Sequence, residues 1–291
     1  MPALTRVAII GPGLLGGSLA LALQKFSNGH EVALWGRREK AVAEARAAGV
    51  RFATCDLAEA VAGASIIILC TPVGVMAEMV TCILESSAGA RLLISDVGSV
   101  KSAPAETIAP LLAGTEHRFI GGHPMAGSEQ KGMEAARADL FQGAWTILTP
   151  SGEGEPADLS ALQDLWCAVG ARCELMEAAA HDEVIGRLSH FPHLMASLCA
   201  EHALVDDSSY HLAGAGLRDT SRVASGDADM WAEILLENRE SVLRAAREAA
   251  DGLRELLDSL EENDHDRLRS FLHSAKLKRD ALAAVVKAPD E

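Results

Sequence analysis

At 291 residues the chain exceeds the size at which one hydrophobic core keeps growing, so two domains are expected. Its 41 acidic and 26 basic side chains leave a net charge of −15, and aromatic residues make up 4%, which excludes the basic footprint and stacking platforms of a nucleic-acid binder. The six cysteines (Cys55, Cys70, Cys82, Cys167, Cys173, Cys199) form no C-x-x-C pair, and no signal-peptide core or run of about 20 apolar residues occurs, so buried thiols in a cytoplasmic protein without a membrane span are expected.

In chain order, residues 7–10 are an apolar, β-branched run, Gly11-Pro-Gly-Leu-Leu-Gly-Gly-Ser18 is a glycine turn, and residues 19–23 form a helix-favouring Ala/Leu run. This strand, loop and helix order opens a dinucleotide-binding unit. Gly11 permits the tight turn, Gly13 lets the backbone approach a pyrophosphate, and Gly16 lets helix pack on strand. The amides at the helix start, around Leu14 and Leu15, attract the anion. Residues 31–35 read as a second strand ending at Gly36, Arg37 and Arg38, and residues 52–53 as a short third. A short helix over 56–62 precedes the continuous apolar run 65–70, which suits a parallel strand covered on both faces and stops at Thr71 and Pro72. A helix over 75–84 leads to a strand over 92–95, then Asp96-Val-Gly-Ser99. A strand over 118–120 ends at Gly121, Gly122 and His123, and further strands are expected over 145–148 and 173–176, with a surface loop over 151–156. From about Ala179 only helical patterns remain, so the domain boundary is placed there, giving 1–178 and 179–291. Val184, Leu188, Phe191, Met195 and Leu198, and later Leu253, Leu256, Leu257 and Leu260, recur at spacings of three and four, forming apolar faces suited to a second copy.

Ligands of an open parallel sheet bind beyond the carboxyl ends of its strands, so the strand exits are the places to inspect. They supply Thr71 and Pro72, then Ser99 with Lys101, then His123 with Ser128 and Glu129. His123 leads for catalysis, because an imidazole titrates near neutrality and can take a hydroxyl proton while hydride leaves the same carbon. Ser99 either assists it or caps the next helix. In the helical part, Ser189, His190 and His193 fall on one segment and suit polar contacts to an acidic substrate. No third ligand completes a zinc pattern, so no metal is expected. Arg222 offers a planar fork for a carboxylate, or else pairs with Asp219 or Asp227.

Together with Gly11–Ser18, four more motifs occur in order: Asp96-Val-Gly-Ser-Val-Lys101, Gly122-His-Pro-Met-Ala-Gly-Ser-Glu129, Leu188-Ser-His-Phe-Pro-His193, and Gly216-Leu-Arg-Asp-Thr-Ser-Arg222 with Trp231. In these the chain resembles the prephenate/arogenate dehydrogenase family of tyrosine biosynthesis over essentially its whole length. The resemblance implies an α/β Rossmann-type dinucleotide-binding domain followed by an all-α helical dimerisation domain, hence a homodimer. It implies NAD(P)-dependent oxidative decarboxylation: hydride passes from the hydroxyl-bearing ring carbon to the nicotinamide, the ring carboxylate leaves as CO2, and the ring aromatises. His123 would bind and deprotonate the ring hydroxyl, with Ser99 assisting. Ser189 and His193 would contact substrate, Arg222 would grip a carboxylate, and Trp231 matches a tryptophan supplied by the partner subunit. Prephenate is the expected substrate; arogenate is the alternative, with Glu129 near enough to meet its ammonium. A β-hydroxyacid dehydrogenase would rely on a lysine in the helical domain, where the helix expected over 182–199 carries histidines and no lysine. A non-catalytic dinucleotide sensor would need none of Ser99, His123, His193 and Arg222.

NADP is expected over NAD. An acidic side chain at the end of the second strand holds the ribose 2′-hydroxyl and repels a 2′-phosphate. Here Gly36 stands at that point, and Arg37 and Arg38 follow with guanidinium forks suited to phosphate; the alternative has Glu39 on the ribose.

Overall fold

The computed structural model describes residues 5–27, 29–87, 89–127, 130–151 and 156–287. Eight strands form one sheet: β1 Thr5–Ile10, β2 His30–Trp35, β3 Ala53–Thr54, β4 Ile66–Leu69, β5 Leu93–Asp96, β6 Arg118–Pro124, β7 Trp145–Pro150 and β8 Arg172–Leu175. Their spatial order is β3-β2-β1-β4-β5-β6-β7-β8, parallel throughout except for the antiparallel β6/β7 pair. The order reverses between β1 and β4, and such a reversal opens a crevice at the strands' carboxyl ends. The helices of this part are α1 Leu14–Phe26, α2 Glu39–Ala47, α3 Leu57–Val61, α4 Met76–Ser86, α5 Ser102–Leu112 and α6 Pro156–Ala168. Those that follow are α7 Ala178–Ile185, α8 Phe191–Ala203, α9 Ala215–Ser221, α10 Ala228–Glu237, α11 Arg239–Glu261 and α12 His265–Lys287. Contacts divide the chain into Met1–Arg239 and Glu240–Glu291.

Strand alternation explains why the central strands are apolar at every position. Val7, Ile9, Ile66 and Ile68 join the core cluster that holds Leu19 and Leu23 of α1, while Ala8, Ile10, Ile67 and Leu69 join the one that holds Met76, Val80 and Ile83 of α4. Both faces are covered, so neither can be polar. Truncating any of these buried isoleucines to Ala is worth roughly 2–5 kcal/mol.

Two elements differ from the pattern read in sequence. The strand over 118–120 runs on to Pro124, so His123 sits inside β6, opposite Ile147, rather than in its exit loop. Gly121 and Gly122 do not break the strand; they let neighbours in. A Cβ at Gly122 would lie 2.7 Å from the Asp96 carbonyl oxygen, which is the positional meaning of a strand glycine. The helix expected over 182–199 is interrupted by a π turn, Gly186–His190, in which the Phe191 amide bonds back to the Gly186 carbonyl. Pro192 lacks an N–H and its ring opposes the carbonyl four residues back, and widening the turn relieves both. The cysteines are also less buried than expected: five are half-buried and Cys167 is exposed, all of them free thiols. Most of the loop expected over 151–156 lies outside the described residues.

Candidate active site

A cavity of about 730 Å³ lies within the Met1–Arg239 unit, a volume suited to one small organic ligand with part of a second. Gly13, Leu14 and Leu15 line it at the start of α1, Thr71 and Pro72 after β4, Ser99 after β5, and His193, Arg222 and Trp231 from the helical segment. The glycine turn is shaped by contact: Gly11 has φ +124°, where only glycine is unstrained, and a Cβ there would lie 2.5 Å from the Cys70 carbonyl oxygen. An added Cβ on Gly13 meets nothing within 4 Å, so this stretch faces open space. Helix α1 has no side-chain N-cap and no acid in its first turn, leaving its first amides for an anion. The residues present therefore fit a dinucleotide pyrophosphate.

The adenosine end of such a ligand would lie towards Gly36, Arg37 and Arg38. Both arginines are exposed and make no ion pair among the described residues. Gly36 is buried against the turn itself: an added Cβ would lie 2.7 Å from Cγ of Pro12. Burial, then the neighbouring Glu39 carboxylate, raises the pKa of the Cys55 thiol.

His123 is 8% exposed and is not among the residues that line the cavity. Its Nδ1 lies 2.8 Å from His181 Nε2, and His181 Nδ1 lies 2.8 Å from Asp182 Oδ1. The Asp182 carboxylate also accepts the backbone amides of Lys101 and Ser102, each at 2.8 Å. Beside this row is a fully buried ion pair between Lys101 and Asp96. Lys101 also donates to the Gly122 carbonyl at 2.7 Å, and Asp96 accepts the amides of Gly98 at 2.8 Å and Gly122 at 3.1 Å. The cross-links through Gly122 hold the strand that carries His123.

These surroundings set the charges. Burial, then the Lys101 ammonium, then His181 and His190 hold the His123 pKa well below the ordinary imidazole value, with only Asp182 acting the other way. Burial alone would raise Asp182, but the hydrogen bonds from His181, Ser102 and the Lys101 amide outweigh it and leave its pKa lowered. Lys101 is lowered by burial against the pull of Asp96. His123 is consequently a neutral base at pH 7, and Asp182 an anion.

His190 is buried and takes a hydrogen bond at Nδ1 from the Asn238 amide at 3.0 Å, while the same amide donates to the Asp182 carbonyl at 2.8 Å. Burial pushes His190 down to about 4. His193 stacks face to face on Trp231, ring centroids 3.5 Å apart. Its Nδ1 is buried without a partner, as is Thr71 Oγ1, and both residues line the cavity. Trp231 thus meets His193 of its own chain, where the resemblance implied a tryptophan from the partner. Arg222 is exposed on the cavity wall with no ion pair among the described residues; Asp227, one of its two alternative partners, pairs instead with Lys131 and caps α10 through the Met230 amide. Glu233 of α10 accepts the Gly74 amide at 2.6 Å, a second tie between the sheet's loops and α10. Ser189 is half-buried on the π turn and does not line the cavity, and Ser128 and Glu129 lie outside the described residues.

Sequence reasoning missed Asp96, His181, Asp182 and Asn238 as site residues, and named Lys101 without a role. The signal was there in part, as a lysine two residues past Ser99 and an adjacent His-Asp pair.

The chain matches known proteins over most of its length. The family model described as "Prephenate dehydrogenase, nucleotide-binding domain" matches residues 19–175, and "Prephenate dehydrogenase, dimerization domain" matches 177–274. A prephenate dehydrogenase of Lactococcus lactis subsp. cremoris is 34% identical, over 95% of this chain and 77% of its own. The crystal structure of an A. aeolicus prephenate dehydrogenase with hydroxyphenyl propionate and NAD+ superposes with a TM-score of 0.86 at 27% identity, covering 96% of this chain and 99% of that one. A Synechocystis arogenate dehydrogenase superposes at 0.80, again at 27% identity, covering 96% of this chain and all of that one.

Proposed function

Given that the chain belongs to the prephenate dehydrogenase family and is an oxidoreductase binding NAD(P), we propose that it oxidatively decarboxylates prephenate to 4-hydroxyphenylpyruvate. Arogenate, as in the Synechocystis enzyme, is the second reading. The observation that carries the proposal is the meeting of Ser99, His193, Arg222 and the start of α1 on one cavity, in a unit that also holds the buried, neutral His123.

The roles follow from the chemistry of each group. The bound cofactor supplies the hydride acceptor. His123 takes the proton of the ring hydroxyl as the carbon beneath it becomes carbonyl-like, and Ser99 steadies that hydroxyl. Arg222, which makes no ion pair among the described residues, holds a substrate carboxylate by a charge-assisted pair. His193, stacked on Trp231, offers the substrate its Nδ1, which has no partner among the described residues, and we assign Ser189 and His190 of the same segment to the substrate as well. We assign Ser128 and Glu129 to the same crevice from their place in the motif that carries His123. Residues 1–178 would serve the cofactor and 179–291 the substrate and the dimer.

For the cofactor we favour NADP. Arg37 and Arg38 are unpaired among the described residues, and Pro12 leaves no room at position 36 for the side chain that would repel a 2′-phosphate. No described helix is long and apolar enough to cross a membrane, and a cytoplasmic homodimer is the assembly we propose. Steady-state rates with prephenate and arogenate, each with NAD+ and NADP+, test the whole reading. Prephenate with NADP+ should give the highest kcat/KM, and turnover of neither substrate would refute it.

A further inference from the structure

We infer that His181 and Asp182 are positioning residues that fix which nitrogen of His123 carries its proton, and so create the base. The inference rests on the proposed role of His123.

Two hydrogen bonds in a row fix where the protons sit. The Asp182 carboxylate is ionised and can only accept. The 2.8 Å contact to His181 Nδ1 therefore requires a proton on that nitrogen. The inference assigns His181 a single ring proton, on Nδ1, which leaves Nε2 bare and able only to accept. The 2.8 Å contact to His123 Nδ1 in turn requires a proton there. A neutral His123 protonated at Nδ1 has its lone pair on Nε2, which makes no hydrogen bond among the described residues. When the ring hydroxyl gives up its proton to Nε2, the Nδ1 proton stays on His123, still donated to His181, and Asp182 stays ionised and offsets the new positive charge. One proton moves and none passes down the row. Position is equally well set: Asp182 is held by the amides of Lys101 and Ser102 at the start of α5, and its own carbonyl by Asn238. The charged and titratable groups that act on His123 are Lys101, itself paired with Asp96 on the sheet side, His181 and Asp182 from α7, and His190 from the π turn.

The other tautomer would be inert, because a proton on Nε2 leaves no lone pair towards the substrate. In Asp182→Asn the side-chain amide can donate to His181 Nδ1 and reverse both bonds, which places a proton on His123 Nε2. A wrong tautomer of this kind costs a hydrolytic triad about 10⁴ in kcat.

The test uses the full-length protein labelled with ¹⁵N-histidine, with His123 assigned by comparison with His123→Asn. Between pH 6.5 and 8 the inference predicts a neutral His123 ring protonated at Nδ1; protonation at Nε2 overturns it. Asp182→Asn should show the reverse tautomer, with kcat down by about 10² to 10⁴ and KM little changed. Because Asp182 also anchors α5, His181→Leu and His181→Gln are measured beside it. Leu removes the acceptor and should lose a similar factor, whereas Gln restores an acceptor oxygen to His123 and should recover at least tenfold over Leu. The acid limb of kcat/KM should also move to lower pH in Asp182→Asn, since a negative charge that favours the imidazolium is gone. Equal activity of Leu and wild type, with an unmoved limb, refutes the inference while the assigned function stands. An inactive wild type refutes the function instead.

Discussion

A base that works at neutral pH must be unprotonated there and aimed, and at the residue scale these two demands fall on different neighbours of His123. Burial and the Lys101 ammonium keep it neutral; His181 and Asp182 orient it. Because its pKa is lowered, the basic form persists as pH falls below the usual 6.5. The wild-type kcat/KM should therefore be flat through neutrality with an acid limb below pH 6.5, and a limb at or above 6.5 would contradict the environment described. Arg222→Ala should raise KM about 10- to 100-fold, the equivalent of roughly 1.5–3 kcal/mol for a charge-assisted contact, with kcat less affected. An unchanged KM would return Arg222 to the solvent. His123, Ser99, His193 and Arg222 were legible because each lies in a short motif beside a strand end or on a helix of chemical character. Asp182 was not, since its partners are amides 80 and 81 positions away in sequence, a contact that only the packing of α7 on α5 creates.

At the scale of elements, two local irregularities carry the site. The tight approach of Gly122 to Asp96 extends β6 far enough to hold His123 rigidly, and Pro192 forces the π turn that buries His190 while His193 meets Trp231. Turn-like residues in sequence stood for close backbone approach in one case and a widened helix in the other, and periodicity alone separates neither from an ordinary break. The strands of the first 150 residues were readable because buried parallel strands leave long β-branched runs, whereas α2 and α5 were not read. The loop after β2 yields the cofactor prediction. The Arg37→Ala, Arg38→Ala double substitution should cut the ratio of kcat/KM for NADP+ over NAD+ by about 10- to 100-fold, as loss of one charge-assisted phosphate contact implies. A ratio left untouched would mean that Gly36 serves only its packing on Pro12.

For the whole molecule, the helical part exposes more apolar surface than a single copy covers. Leu188 is 73% exposed, Val184 and Leu198 lie on the same stripe, and Leu253, Leu257, Leu260, Phe271 and Leu272 are exposed on α11 and α12. Faces of this kind mark interaction sites, and the dimerisation-domain match covers these residues. Light scattering should give a dimer at assay concentration, and Leu188→Glu should shift it towards monomer with the circular dichroism spectrum retained; a wild-type monomer would contradict the assembly. The periodic leucines announced these faces in sequence but not that they stay open within the chain, because a helical stripe looks the same whatever covers it.

The central claim, that a neutral His123 is the base of an oxidative decarboxylation, is tested most directly by kcat of His123→Asn with prephenate and NADP+. Asn keeps the approximate size and polarity of the imidazole but cannot take the proton, so kcat should fall by about 10² to 10⁴ with KM near that of the wild type. A near-normal kcat would show that the proton leaves by another route and would overturn the account.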